Sequence, residues 1–303
     1  MELGTSLNLF SRRRGQIAAT SYLEQVTLCA EAGFRVLDLH CCDAVRPERE
    51  DDLASDEWEK RIDEVGEEAA KRGLTFSQSH APFNAKLYCY GKQPSEEYLA
   101  YYHEMTRRAI IASGRLGVKW MVVHALNDNI HTEYDPEVIK KTNLEHFSWQ
   151  VELAKKCGVG IAIENMADFD MTNFKRFYLV SPDEQIDLVD SFGDESVGAC
   201  WDFGHARMVL NDQPRALRKL GKRLKATHVQ DNNGTCDRHL IPFVGGNIPW
   251  ETIMPVLKEI GYTGDFVFET HSFMNDLPDA LRLSAGKLAY EFGAYCMDLY
   301  HQA

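Results

Sequence analysis

One short pattern recurs along this chain: an amphipathic helical stretch stops at a glycine, and an apolar, β-branched run follows at once. EQVTLCAEAGFRVLDLH shows it with Gly33 as the stop, EEAAKRGLTFSQSH with Gly73, AIIASGRLGVKWMVVHA with Gly117 and VELAKKCGVGIAIEN with Gly158. Glycine suits the left-handed position that closes a helix. The runs that follow have little polar alternation, as expected for strands buried on both faces of a parallel sheet. The spacing predicts eight strands, near 3–9, 35–40, 75–80, 120–124, 160–164, 197–202, 226–229 and 266–269. Helices are predicted between them over 22–32, 58–71, 97–116, 136–156, 182–191, 214–219 and 250–260, with a closing helix over 281–299. Strand–helix alternation argues a parallel α/β sheet. Eight such units, with no GxGxxG after the first strand, favour a closed (β/α)8 TIM barrel over a doubly wound sheet. The 303 residues suit one barrel, and no linker or low-complexity tract divides them, so 1–303 reads as a single domain.

Composition narrows the partners. The formal net charge of −13 makes nucleic acid a poor partner. No run approaches the ~20 apolar residues of a membrane span, and the basic residues of the N-terminal stretch follow its apolar run, unlike a signal peptide. The cysteines, among them Cys29, Cys157, Cys200 and the adjacent pair Cys41 and Cys42, lack framework or CxxC spacing. Free thiols in a reducing cytoplasm are the expectation.

The predicted strands end on ionisable residues. FSQSHAP ends at His80, MVVHALND at His124, IAIEN at Glu164, ACWDFGH at Asp202 with His205 just beyond, ATHVQDN at His228 and DFVFETHS at Glu269. Asp237 and His239 follow the seventh strand in CDRHLIP. In a barrel every strand C-terminus opens on the same face, where active sites are built, so these distant residues converge. Carboxylates and imidazoles are the ligand set of Zn²⁺, Mn²⁺, Co²⁺ or Fe²⁺, with Mg²⁺ less suited. A lone histidine such as His40 is more often structural, and His103, His131, His146 and His301 fall in helical or loop patterns. A buried Glu164 already needs a partner. A shared metal site explains the repetition better than separate structural accidents.

Such a site suits proton transfer at carbon. Glu164 and Glu269, from strands five and eight, can serve as base and acid. The metal polarises a carbonyl and hydroxyl and stabilises the enediolate. His205 can contact a substrate oxygen or bind metal. Trp201, Phe83, Tyr88 and Phe243 are candidates for the apolar face of a sugar pocket, with plain packing as the alternative. Gly245 and Gly246 read as a turn before Pro249, with a backbone nest for a phosphate or hydroxyl as the alternative. No organic cofactor is implied. The aromatic-rich tail YEFGAYCMDLY offers a surface for a homo-oligomer.

IENM at Glu164, WDFGHA at Asp202–His205, HVQDNNGTCDRHLIPFVGGNIPW from His228 and FET at Glu269 together resemble the xylose isomerase-like TIM barrels, and the resemblance spans essentially the whole chain. That family includes sugar-phosphate isomerases and epimerases, ketose 3-epimerases and apurinic endonucleases. In the sugar branch the resemblance implies one metal held by Glu164, Asp202, His228 and Glu269, with both glutamates as the acid/base pair and His205 on the substrate. In the endonuclease branch it implies three zinc ions on His80, His124, Glu164, Asp202, His205, His228, Asp237, His239 and Glu269. Ketose 3-epimerases carry an arginine where this chain has Gly234. The endonuclease branch needs basic loops to grip DNA. Here Arg12–Arg14 is offset by the acidic run RPEREDDLASDE after strand two. The implied activity is therefore a divalent-metal-dependent sugar or sugar-phosphate isomerase or epimerase. The alternatives are a lyase or dehydratase on a 3-keto-glycoside, with His124 or His80 as an extra base, and an apurinic-endonuclease-type phosphodiesterase.

Overall fold

The computed structural model describes residues 1–11, 20–46, 50–83, 94–127, 134–168, 176–210 and 212–303. The expectations on Arg12–Arg14, Tyr88 and His131 lie outside them. The strands are β1 (Leu3–Ser6), β2 (Val36–His40), β3 (Thr75–His80), β4 (Trp120–Val123), β5 (Gly160–Glu164), β6 (Val197–Asp202), β7 (Leu224–His228) and β8 (Phe266–Phe268). The helices are α1 (Tyr22–Ala32), α2 (Trp58–Lys71), α3 (Glu96–Arg115), α4 (Pro136–Lys156), α5 (Pro182–Ser191), α6 (Phe203–Val209), α7 (Gln213–Leu220), α8 (Trp250–Glu259) and α9 (Asp279–Gln302).

All eight strands form one parallel sheet in the order β7-β6-β5-β4-β3-β2-β1-β8. The ends meet through a parallel bridge between Val229 and Phe268, where Val229 N–H donates to Val267 O at 2.8 Å and Glu269 N–H to Val229 O at 2.9 Å. The fold is thus the expected (β/α)8 barrel. Several element ends shift by one to three residues, β7 starting at Leu224 and the closing helix at Asp279, and two departures change the elements themselves. Strand one stops at Ser6, because Leu7–Phe10 turns into a 3₁₀ helix capped by the Ser6 hydroxyl. A short helix, α6, starts directly on the end of β6, with the Asp202 side chain as its N-cap.

The helix-stop glycines close their helices as the pattern implies; Gly33 has φ 115° and accepts no side chain there without strain. The main core, between sheet and helices, is built on residues such as Phe34, Phe147, Trp201, Phe203, Trp250, Phe266 and Phe268. A smaller cluster fills the barrel itself: Val122, Ala162, Cys200 and Ala226, one each from β4 to β7, with Trp120 against it. Successive residues of a strand point to opposite faces. Two residues beyond each member of that cluster therefore stand His124, Glu164, Asp202 and His228, on the same inward side and at the mouth.

Candidate metal centre at the barrel mouth

The mouth residues come together. Glu164, Asp202, His228 and Glu269, from the ends of β5, β6, β7 and β8, each offer a ligand atom, and these lie within 4.8 Å of one another. All four residues are buried. Two further groups flank them, His80 with His124 and Glu164, and His205 with Asp237 and His239. Every residue that sequence reasoning placed in the centre is at this rim except Trp201. That side chain is one residue before Asp202, so it turns outward. It is fully buried in the helix layer, where its Nε1–H donates to Gln213 Oε1 at 3.1 Å. It does not line the bowl.

Local structure explains the placement. Asn165, next to Glu164, grips the end of β6. Its Oδ1 accepts from Asp202 N–H at 2.7 Å, and its Nδ2 donates to Asp202 O at 3.0 Å. Asn165 O also accepts from His205 Nδ1–H at 2.9 Å, which leaves His205 Nε2 facing Asp237 Oδ2 at 3.6 Å. Asp202 Oδ1 caps α6 through His205 N–H at 2.6 Å. Gly204 has no side chain because Gln230 lies there: a Cβ would sit 2.1 Å from the Gln230 amide carbon. That amide donates to Asp237 Oδ1 and accepts from His239 N–H at 3.1 Å. His239 takes a left-handed φ of 46°, an uncommon conformation held by these contacts. Below it, Asp231 accepts from Phe243 N–H, Ile248 N–H and Trp250 Nε1–H. The backbone around Gly245 and Gly246 thus wraps an internal carboxylate, and the turn reading holds over the nest. Phe243 packs on Phe292 and Tyr295 of α9, while the Phe83 ring stands 4.5 Å from that of His124 at the mouth.

Sequence reasoning missed several neighbours. Asp38 lies inside the barrel, with Oδ2 3.9 Å from His228 Nε2. Cys42 Sγ is 3.1 Å from His80 Nδ1. His271, two residues past Glu269, is a third. Its place two residues after Glu269 at a strand end in DFVFETHS is the signal the sequence offers.

Charge dominates the centre. Among the described residues, the ion-pair partners of Glu164, Asp202, Asp237 and Glu269 are all histidines. His124 Nε2 reaches Glu164 Oε2 at 2.8 Å and His228 Nδ1 reaches Glu164 Oε1 at 3.0 Å. Burial opposes ionisation of Glu164, but His228 and His124 override it and hold that carboxyl well below its usual range. Burial likewise opposes charge on His228, yet its acidic neighbours Cys200, Glu164 and Glu269 keep the imidazole well above the usual value. Asp202 is raised by burial, against the pull of His205. Its Oδ2 is buried and has no hydrogen-bond partner among the described residues. An orphaned carboxylate oxygen within a buried set of three carboxylates and an imidazole is the chemistry that a divalent cation satisfies. Glu164, Asp202, His228 and Glu269 therefore fit a metal. Among the described residues no helix is long and apolar enough to cross a membrane.

Comparison with known proteins agrees with this architecture. An uncharacterized protein of Methanocaldococcus jannaschii is 30% identical over 164 residues, 53% of this chain and 54% of that protein. The match thus spans about half the length of that relative. A D-psicose 3-epimerase of Enterocloster bolteae is 26% identical over 264 residues, 82% of this chain and 75% of the enzyme. The crystal structure of a D-tagatose 3-epimerase-like protein superposes with a TM-score of 0.74 over 100% of this chain and 99% of that one, at 22% identity. Residues 26–288 match the family described as xylose isomerase-like TIM barrel, and the chain belongs to that family.

Proposed function

We propose that this chain is a divalent-metal-dependent sugar isomerase or epimerase, in which Glu164 and Glu269 move a carbon-bound proton. The observation that carries the reading is the four-residue group: two glutamates, an aspartate and a histidine from four successive strands, buried within 4.8 Å of one another. The similarity to D-psicose 3-epimerases supports a ketose as substrate. Glu164, Asp202, His228 and Glu269 hold the cation. When bound, it supplies Lewis-acid polarisation of a substrate carbonyl and hydroxyl, which makes the adjacent carbon acidic.

Glu164 and Glu269 stand on strands three apart around the rim, so a substrate over the bowl lies between them. One carboxylate takes the proton from carbon, and the other returns a proton from its own side. His205, its Nδ1–H fixed on Asn165 O, presents Nε2 to a substrate oxygen. The apolar layer of Val122, Ala162, Cys200 and Ala226 beneath the rim excludes water from below.

A second reading rests on the flanking groups. His80–His124–Glu164 and His205–Asp237–His239 have the composition of additional cation sites, and a three-ion centre would favour phosphodiester hydrolysis. Counting ions separates the two. In D₂O, the metal-loaded protein is expected to wash deuterium into D-psicose or another ketose without net breakdown. Glu164→Gln and Glu269→Gln are each expected to cut that exchange by roughly 10²-fold or more, the usual share of a general acid or base. Normal exchange by either variant with metal bound would sink the two-carboxylate mechanism. Three ions per chain would shift the assignment to the nuclease, and release of an alcohol during exchange would shift it to the lyase.

A further inference from the structure

Two residues past Glu269, the rim carries an imidazole for which the mechanism above has no use. His271 is partly exposed and lies against His239 with the rings tilted, centroids 4.0 Å and planes 36° apart. One of its ring nitrogens lies within 4.8 Å of ligand atoms of both His239 and Glu269. Its Nδ1 is buried and has no hydrogen-bond partner among the described residues. Each of the other rim imidazoles has a hydrogen-bond or ion-pair partner on at least one ring nitrogen. His40 meets Asn8, His80 the Ala81 carbonyl, His124 Glu164, His205 the Asn165 carbonyl, His228 Glu164, and His239 the Glu269 carbonyl. A buried ring nitrogen without a partner is costly, and it is tolerated where a ligand completes it.

That ligand is a cation or a substrate oxygen, and the partners of His239 separate the two. An imidazole binds metal through a lone pair in its own plane. A common ion would need one such lone pair free on each ring. His239 is committed elsewhere: Nδ1–H donates to Glu269 O at 2.9 Å, and Nε2 stands 2.8 Å from Asp237 Oδ2. A shared ion between His239 and His271 is therefore poorly served. A substrate lying over the bowl next to Glu269 passes His271 instead.

We propose that His271 hydrogen-bonds a substrate hydroxyl on the carbon next to the one whose proton Glu269 handles, and so selects polyhydroxylated ketoses over analogues deoxygenated at that carbon. The assignment rests on the reading of Glu269 as a proton-transfer group. It makes His271 a specificity-determining residue and leaves the cation to the four-residue group.

The test uses the full chain loaded with Mn²⁺, deuterium uptake in D₂O, and D-psicose, D-fructose and D-tagatose as probes. The ketose that exchanges fastest is then compared with its monodeoxy analogues. His271→Phe keeps a ring against His239 and removes both nitrogens; His271→Gln restores a hydrogen-bonding group. His271→Phe is expected to lower kcat/KM at least about tenfold, mainly through KM, with bound manganese unchanged. His271→Gln should regain part of the loss. Wild type should discriminate against one monodeoxy analogue that His271→Phe accepts as readily as the parent sugar. Wild-type kinetics and selectivity in His271→Phe overturn the proposal and leave the two-glutamate mechanism standing. Loss of manganese in His271→Phe also overturns it, because the residue is then a ligand. Undiminished exchange in Glu269→Gln instead removes the mechanism on which the proposal rests, whatever His271 does. Absence of exchange with every ketose in wild type overturns the sugar reading and this assignment with it.

Discussion

Strands β4 to β7 and strands β2 and β3 reach the same rim over different floors. Beneath His124, Glu164, Asp202 and His228 lies an apolar layer of Val122, Ala162, Cys200 and Ala226. Beneath His40 and His80, two residues back on the same faces, lie Asp38 and Gln78, both buried. Gln78 Nε2 donates to Asp38 Oδ2 at 2.9 Å and to Thr227 O at 3.1 Å. The apolar half offers no hydrogen bonds from below, so its acids and imidazoles must satisfy one another or bind a cation, at low local polarity where such interactions are strong. The polar half reaches across the barrel and sets Asp38 behind His228. One side concentrates charge, and the other backs it with a polar layer.

The largest expected effect comes from erasing that contrast in the floor. Val122→Asn places an amide where the native layer has no partner for it, and also removes a buried branched side chain. The combined cost is expected to be about 3 kcal/mol of unfolding free energy. Urea denaturation of the metal-free protein measures it. A loss of only a few tenths would mean that water or Gln78 reaches the layer, and that the two floors are alike.

A smaller effect should follow from neutralising the polar side. His228 turns Nδ1 toward Glu164 and Glu269, and Nε2 toward Asp38. At 3.9 Å the Asp38 carboxylate acts on Nε2 through its charge, which favours a proton there and would leave the Nδ1 lone pair for a metal. Asp38→Asn preserves shape and removes the charge. It is expected to weaken Mn²⁺ or Zn²⁺ binding by roughly 10–100-fold, read by chelator competition, as for other residues behind metal-bound histidines. Unchanged affinity with unchanged stability would reduce Asp38 to a packing residue.

How much of this was legible beforehand follows from the strand period. The rim residues stood out because β4 to β6 are otherwise apolar, so a terminal His, Glu or Asp breaks a uniform run. The helix stops stood out because glycine at a left-handed position has few substitutes. Trp201 was misplaced although the same period bears on it: once Asp202 faces inward, its neighbour must face the helices. Asp38 in VLDLH and Gln78 in FSQSH lie inside strands, and only the closed barrel brings them beneath a ligand from β7. The clamp by Asn165 needs β5 and β6 side by side. His271 is three-dimensional in another way, since its significance lies in a nitrogen that nothing among the described residues pairs. The short helix α6 escaped because its first turn is built on Asp202, the candidate ligand itself.

The smallest expected effect sets the outside of the barrel against its mouth. Arg223, just before β7, forms two parallel bonds to Asp190 of α5, Nε to Oδ1 at 2.6 Å and Nη2 to Oδ2 at 2.7 Å. His124 and Glu164 meet at a comparable 2.8 Å. Distance does not distinguish the two pairs, but surroundings do. The Arg223 and Asp190 side chains are 39% and 49% exposed, whereas Glu164 is wholly buried. Water and salt screen the outer pair and take up either partner when the other is lost. Arg223→Ala is therefore expected to change stability by less than about 1 kcal/mol in thermal unfolding, to lose even that difference in high salt, and to leave deuterium exchange untouched. A larger loss that persists in salt would show that the aliphatic stem of Arg223 seals the helix layer by packing, and the contrast between mouth and surface would then rest on burial of carbon as much as of charge.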